Sequence, residues 1–141
     1  MQELEYLDGS QNEYLADVRK RFPDRFFVHG LLDFFHPENL CEECDELIGT
    51  YAFRGIKVPA MNLPQAPPRI FLTDKHPMAV FERMEKRGMI LSIDLAYAET
   101  QVEEMREVAR SFPALTVTIG HFAAANRDGW RKQLLLAAEP N

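Results

Sequence analysis

Three apolar stretches of this 141-residue chain end on, or carry, a side chain that can move a proton, pair a charge or ligate a metal. LTVTIGH closes on His121, GMILSIDLA carries Asp94, and FRGIKVP carries Lys57. Asp33 closes a fourth apolar run, RFFVHGLLD, His36 follows it, and Asp74 ends a proline-rich segment. Imidazole and carboxylate are suitable ligands for zinc or a similar divalent ion. A metal so bound makes a hydroxide nucleophile near neutral pH, or polarises a substrate carbonyl or carboxylate. Asp94 and His121 are therefore the candidate metal ligands and acid–base pair, and Lys57 the candidate partner of an anionic substrate group.

Each of these residues also has a plainer reading. His121 reads equally as a hydrogen-bonding residue where a strand ends. Asp94 inside a hydrophobic run needs either a buried partner or an open cleft, and Lys57 can extend to solvent along its own stem. His29 lies within an apolar run and reads as a satisfied core histidine. His36 and His76 each precede a proline and belong to helix starts. The chain has no glycine-rich phosphate loop, no His-Glu-x-x-His helix and no Gly-x-Ser-x-Gly elbow. Ser92 sits inside its run, which argues against a serine triad.

Such residues need elements to position them, and the apolar periodicity supplies an alternation. Tyr14, Leu15, Val18 and Phe22 mark the stripe of a first helix, with Ser10 or Asn12 as cap. Residues 25–33 read as a buried strand. Pro37 starts a helix with Leu40, Cys41, Cys44, Leu47 and Ile48 inward, and residues 53–59 form the second strand. Residues 60–74 carry Pro64, Pro67 and Pro68 and read as a long irregular loop. A helix over about 77–86 buries Met78, Phe81 and Met84 and stops near Gly88; GMILSIDLA is the third strand. Thr100 and Glu103 have capping-box spacing ahead of Val102, Met105, Ala109 and Phe112. LTVTIGH is the fourth strand, and Trp130, Leu134, Leu135 and Ala138 mark a last helix.

Strands apolar on both faces, joined by long helical crossovers, predict a parallel α/β sheet. A doubly wound domain and part of a (β/α)8 barrel both satisfy that pattern, and a whole barrel takes about 250 residues. In either, the polar strand ends border one cleft. The first residues read as the end of a strand, and the last stop where another strand is expected. Residues 1–141 are thus expected to be one partial domain, truncated at both ends, with open sheet edges that favour a homo-oligomer.

Composition narrows the function classes. Hydrophobic content of 46% and charged content of 27% fit a folded globular chain. Sixteen basic against twenty-two acidic residues give a net charge of −6, with no basic cluster for nucleic acid or an anionic membrane. No apolar signal region or membrane-length run occurs, so a cytoplasmic protein with a small-molecule substrate is expected. Cys41 and Cys44 form a lone Cys-x-x-Cys on a helical pattern, without the second pair of a zinc site. They read as structural thiols.

NEYLADVRKRFPDRFF, YAFRGIKVP, HPMAVFERMEKRGMILSIDL, VARSFPALTVTIGHFA and the closing W…LLLAAEPN together resemble the amidohydrolase-related metal-dependent barrels. The likeness is to the branch holding aminocarboxymuconate-semialdehyde decarboxylase, dihydroxybenzoate decarboxylase and related lactone hydrolases. The resemblance implies a partial TIM barrel, from the end of strand two to the helix after strand six. It also implies a divalent metal, commonly zinc, used for hydrolysis or non-oxidative decarboxylation of a small carboxylated or cyclic substrate. His121 is similar to the family's histidine after strand six. Asp94 stands at or beside the place of the strand-five histidine, and Lys57 resembles the lysine ending strand four. The family's His-x-His pair is absent from this chain, as is a counterpart of its strand-eight aspartate. The reading is of a hydrolase or decarboxylase in full-length form, inactive as this chain alone. The alternative is a non-catalytic binding or structural protein derived from the family.

Overall fold

The computed structural model describes residues 11–34, 36–95, 100–121 and 130–141, with Thr100 and Trp130 described by backbone alone. Helices and strands alternate along them: α1 Asn12–Arg21, β1 His29–Leu31, α2 Leu40–Gly49, β2 Gly55–Val58, α3 Lys75–Lys86, β3 Ile90–Ile93, α4 Thr100–Ser111, β4 Thr116–Ile119 and α5 Trp130–Gln133. The four strands form one parallel sheet in the unbroken order β1-β2-β3-β4.

That order, with right-handed crossovers, lays the connecting helices α2, α3 and α4 on the same side of the sheet. Burial follows the strand alternation. Ile56 and Val58 of β2 and Leu91 and Ile93 of β3 have no exposed surface, and they join Leu40, Leu47, Val80, Phe81, Met84, Val102 and Met105 in one core. The register aligns the opposite face as His29–Gly55–Ile90–Thr116 and Leu31–Lys57–Ser92–Thr118. His29, Leu31, Lys57, Ile90 and Ser92 are half-buried there, and Thr116 and Thr118 are exposed. A sheet wound in one direction with one covered face is the arc of a barrel; a doubly wound sheet reverses its order and is covered on both faces.

The inner helix faces are those the apolar spacing predicts for α2, α3 and α4. Gly88, at φ +61°, stops α3 in the left-handed region that glycine enters without strain. Gly30 lets α2 close on β1, since a Cβ there would stand 2.8 Å from both Leu47 and Phe53.

Four expectations are corrected. α1 buries no residue, and Tyr14 and Phe22 are 65% and 47% exposed. Leu15 and Ala16 pack half-buried against the core, and Asn12 adds a polar anchor, its side-chain amide donating to the Leu31 carbonyl and accepting from the Leu31 N–H, both at 2.8 Å. That exchange satisfies the outer edge of β1, where a neighbouring strand would otherwise be needed. The first strand is only three residues long, and Phe26 and Phe27 lie exposed before it. The proline-rich segment opens with a 3-10 helix, Ala60–Gln65, which carries Pro64 because its short ladder leaves most N–H groups free of intrahelical duty. The last helix is also shorter than its apolar spacing predicts. α5 covers four residues, Leu134 and Leu135 are exposed, and Leu136 of the 3-10 helix Leu136–Ala138 is buried in their place. The Thr100 cap lies outside the described side chains.

Candidate functional site

Lys57 is the third residue of β2 and projects from the open face, level with Ser92 of β3 and Thr118 of β4. Asp94 follows β3 and Gly120 follows β4, each two residues past those partners and therefore on the same face. The parallel register thus carries one charged group from each of two strands to the same C-terminal rim. Lys57 Nζ stands 2.6 Å from Asp94 Oδ1. The approach is an ion-pair contact rather than an aligned hydrogen bond, because Oδ1 is buried and takes no hydrogen bond from a described group. His121 Nε2 lies 3.8 Å from the other carboxylate oxygen, Oδ2.

Asp94 is held from both sides along its backbone. Its N–H donates to the Val58 carbonyl at 3.0 Å, and its carbonyl accepts the Met61 N–H at 2.9 Å. The turn carrying Met61 is anchored in turn by Gln101, which is buried on α4 and donates from Nε2 to the Ala60 carbonyl at 2.7 Å. Asp94 is itself only 8% exposed, so the nearby ammonium supplies the partner that a buried carboxylate requires.

Gly120 makes the convergence sterically feasible. A Cβ at this position would overlap Asp94 Oδ1 and reach 3.4 Å from Lys57 Nζ. The next residue, His121, takes φ +52°, a left-handed conformation that non-glycine residues seldom adopt and in which histidine is enriched. Its backbone turns out of the strand there, and its side chain is 73% exposed at the rim. Strain of this kind collects at functional sites, where packing holds a residue in a conformation it would not choose.

Lys57, Asp94 and His121 are therefore brought together, as their strand-end positions predict. Ser92 shares their face. His36 instead pairs loosely with Glu38, 3.5 Å away and exposed. Asp33 sits beyond β1, where its N–H donates to Glu43 at 2.7 Å. Asp74 accepts the Phe71 N–H at 2.8 Å and leads into α3. His29 is half-buried on the open face near the opposite end of the strands, and burial pulls its pKa below the ordinary value. Gly120 and Gln101 were not singled out by the sequence. A glycine inside an apolar strand pattern is a signal of close backbone approach and points to the first; the second has no local signal. An apolar groove bordered by Val117, Ile119, Leu134 and Leu136 lies on the helix side of β4, behind the sheet from the three polar groups.

The sequence profile of the family described as amidohydrolase matches residues 4–141. The chain belongs to the amidohydrolase family. An uncharacterised protein of Sinorhizobium fredii, y4mH, is 29% identical over 129 residues, which is 82% of this chain and 42% of that protein. Among solved structures, 2,6-dihydroxybenzoate decarboxylase from Rhizobium superposes at TM-score 0.67 with 14% identity, over 84% of this chain and 48% of that one. A 2,6-dihydroxybenzoate decarboxylase in complex with 2,6-dihydroxybenzoate gives the same values. An amidohydrolase candidate from Staphylococcus aureus aligns at TM-score 0.65 and 16% identity, over 85% of this chain and 48% of that one. The chain spans about half the length of the relatives it matches. The four parallel strands of this chain thus correspond to about half of a TIM-barrel structure.

Members of the family are often metal-dependent. Catalytic zinc takes about three protein ligands. No group of three or more His, Cys, Asp or Glu residues assembles among the described residues. At the rim, Asp94 and His121 offer two donors, and one oxygen of Asp94 already faces Lys57. The described residues do not by themselves fit a closed metal site.

Proposed function

We propose that this amidohydrolase forms one wall of the mouth of a barrel that hydrolyses or non-oxidatively decarboxylates a small carboxylated or cyclic substrate. The observation that carries the reading is the convergence of Lys57, Asp94 and His121 on one strand-end rim around the side-chain-free Gly120. Family membership and the likeness of fold to a dihydroxybenzoate decarboxylase support it. His121, exposed at the rim, gives or takes the proton at the reacting atom. Asp94 steadies the imidazole from Oδ2, and Lys57, half-buried beside it, attracts the anionic group of the substrate.

The test is turnover, by a complete barrel carrying this chain as that wall, of a panel of small hydroxybenzoates, followed by carbon dioxide release, and of small lactones, followed by acid release. His121→Gly is expected to lower the rate by about 100-fold or more. The same change relieves the left-handed backbone and raises stability by about 1 kcal/mol. Wild-type rates in His121→Gly would end the proposal. Saturable binding without turnover would favour the second reading, a non-catalytic binding protein of the same family. The incomplete ligand set is the observation on its side.

A further inference from the structure

We propose that Lys57 is the built-in cation of this mouth. Its ammonium occupies the approach to Asp94 that a divalent metal would need, so Asp94 serves as the partner of Lys57 and not as a metal ligand. The inference rests on reading Lys57, Asp94 and His121 as the mouth of the site.

The geometry around Asp94 Oδ1 carries it. That oxygen is buried, and two groups close it off: Lys57 Nζ at 2.6 Å and Gly120, where no atom larger than hydrogen fits against it. A metal reaching Oδ1 would have to displace the ammonium or lie beside it, and two cations sharing one carboxylate repel strongly where solvent is scarce. The arrangement is set by the scaffold. Lys57 sits on β2 in register with Ser92, and Asp94 follows two residues later with its N–H and carbonyl fixed by Val58 and Met61. Strand pairing fixes where the Lys57 stem begins, and its side chain, only 30% exposed, keeps the ammonium beside Asp94. The remaining oxygen, Oδ2, faces His121 at 3.8 Å, which leaves one carboxylate oxygen and one imidazole open to a ligand. Two donors beside a fixed positive charge make a poor cage for a dication. They suit an anion instead, with Lys57 supplying charge and His121 a proton.

The experiment adds zinc alone to the intact chain and measures retained metal by equilibrium dialysis, with cobalt absorption bands as a second readout. Wild type and Lys57→Arg are expected to hold no stoichiometric metal. Lys57→Gln uncovers Asp94 and is expected to raise zinc affinity by about tenfold or more. Adding Asp94→Asn to that variant should cancel the gain. Asp94→Asn in the otherwise wild-type chain provides the arm that does not depend on the lysine variants folding. It should leave zinc behaviour as in wild type. One zinc per wild-type chain that Asp94→Asn abolishes would overturn the proposal, as would a cooperatively melting Lys57→Gln that gains nothing. None of these arms reads turnover, so failure here is distinct from failure of the proposed reaction.

Discussion

At the scale of single residues, what separates a strand end from a site is the distance between side chains on different strands. Lys57, Asp94 and His121 owe their proximity to the absence of a side chain at Gly120. Gly120→Ala forces the new methyl into Asp94 Oδ1, so the pair must part or the strand ends must shift. The expected cost is about 1–3 kcal/mol in a urea melt, with loss of any ligand that depends on the rim. An alanine variant as stable as wild type would show that the contact is not closed. The two cysteines follow a different rule. Both are free thiols; Cys44 has no exposed surface, and burial pushes its pKa up to about 12, while Cys41 is half-buried. With the thiolate suppressed and access blocked, Cys44 is inert in the native chain. A thiol reagent at pH 8 should label Cys41 first and Cys44 only as the chain unfolds. Equal rates for the two would contradict that packing.

At the scale of elements, the site depends on how the segment after β2 is tied to α4. The 3-10 helix Ala60–Gln65 carries the N–H that holds the Asp94 carbonyl, and Gln101 fastens that turn from behind. Gln101→Leu keeps the volume and removes the donor, leaving the buried Ala60 carbonyl without this partner. The expected loss is about 1–3 kcal/mol in thermal or urea unfolding, with looser binding at the rim. A neutral result would mean that the turn is held by its own ladder. The elements also show where periodicity misleads. The spacing of Tyr14, Leu15, Val18 and Phe22 describes a helical stripe correctly as a helix, yet Tyr14 and Phe22 lie exposed, Leu15 packs only half-buried against the core, and a polar residue, Asn12, anchors α1 through the edge of β1. An apolar stripe implies a partner surface without saying which one.

At the scale of the whole molecule, folding stability is linked to the proton on His29. Burial, the largest cause, lowers its folded pKa below the ordinary 6.5, and the nearby charge of Lys57 adds to the effect; a backbone hydrogen bond at Ile56 acts against them. The neutral ring is therefore the form the fold prefers. Above pH 6.5 both the folded and the unfolded chain carry it neutral, and no penalty arises. As pH falls through 6.5 the unfolded chain takes up the proton first, and stability declines until the folded pKa is passed. His29→Phe keeps an aromatic ring against Gly55 and removes that linkage. Its melting temperature should fall less than that of wild type between pH 7.5 and pH 5. Parallel pH profiles would assign the dependence elsewhere. Glu43, whose pKa burial raises, acts in the opposite sense and is common to both proteins, so it cancels in the comparison.

The sequence by itself determined the alternation of helices and strands, the inward faces of α2, α3 and α4, and the strand-end placement of Lys57, Asp94 and His121. Apolar period and proline or glycine punctuation are local properties, readable within a window of a few residues. Only the tertiary structure decided between a doubly wound sheet and a barrel arc, because strand order and the side on which helices lie are relations between distant segments. The 2.6 Å contact of Lys57 with Asp94 belongs to the same class. It joins residues thirty-seven positions apart through the pairing of β2 with β3, and no local pattern encodes a register. His121 shows both levels at once: its position at the end of an apolar run is written in the sequence, while its left-handed turn over Gly120 toward Asp94 exists only once β3 and β4 lie side by side.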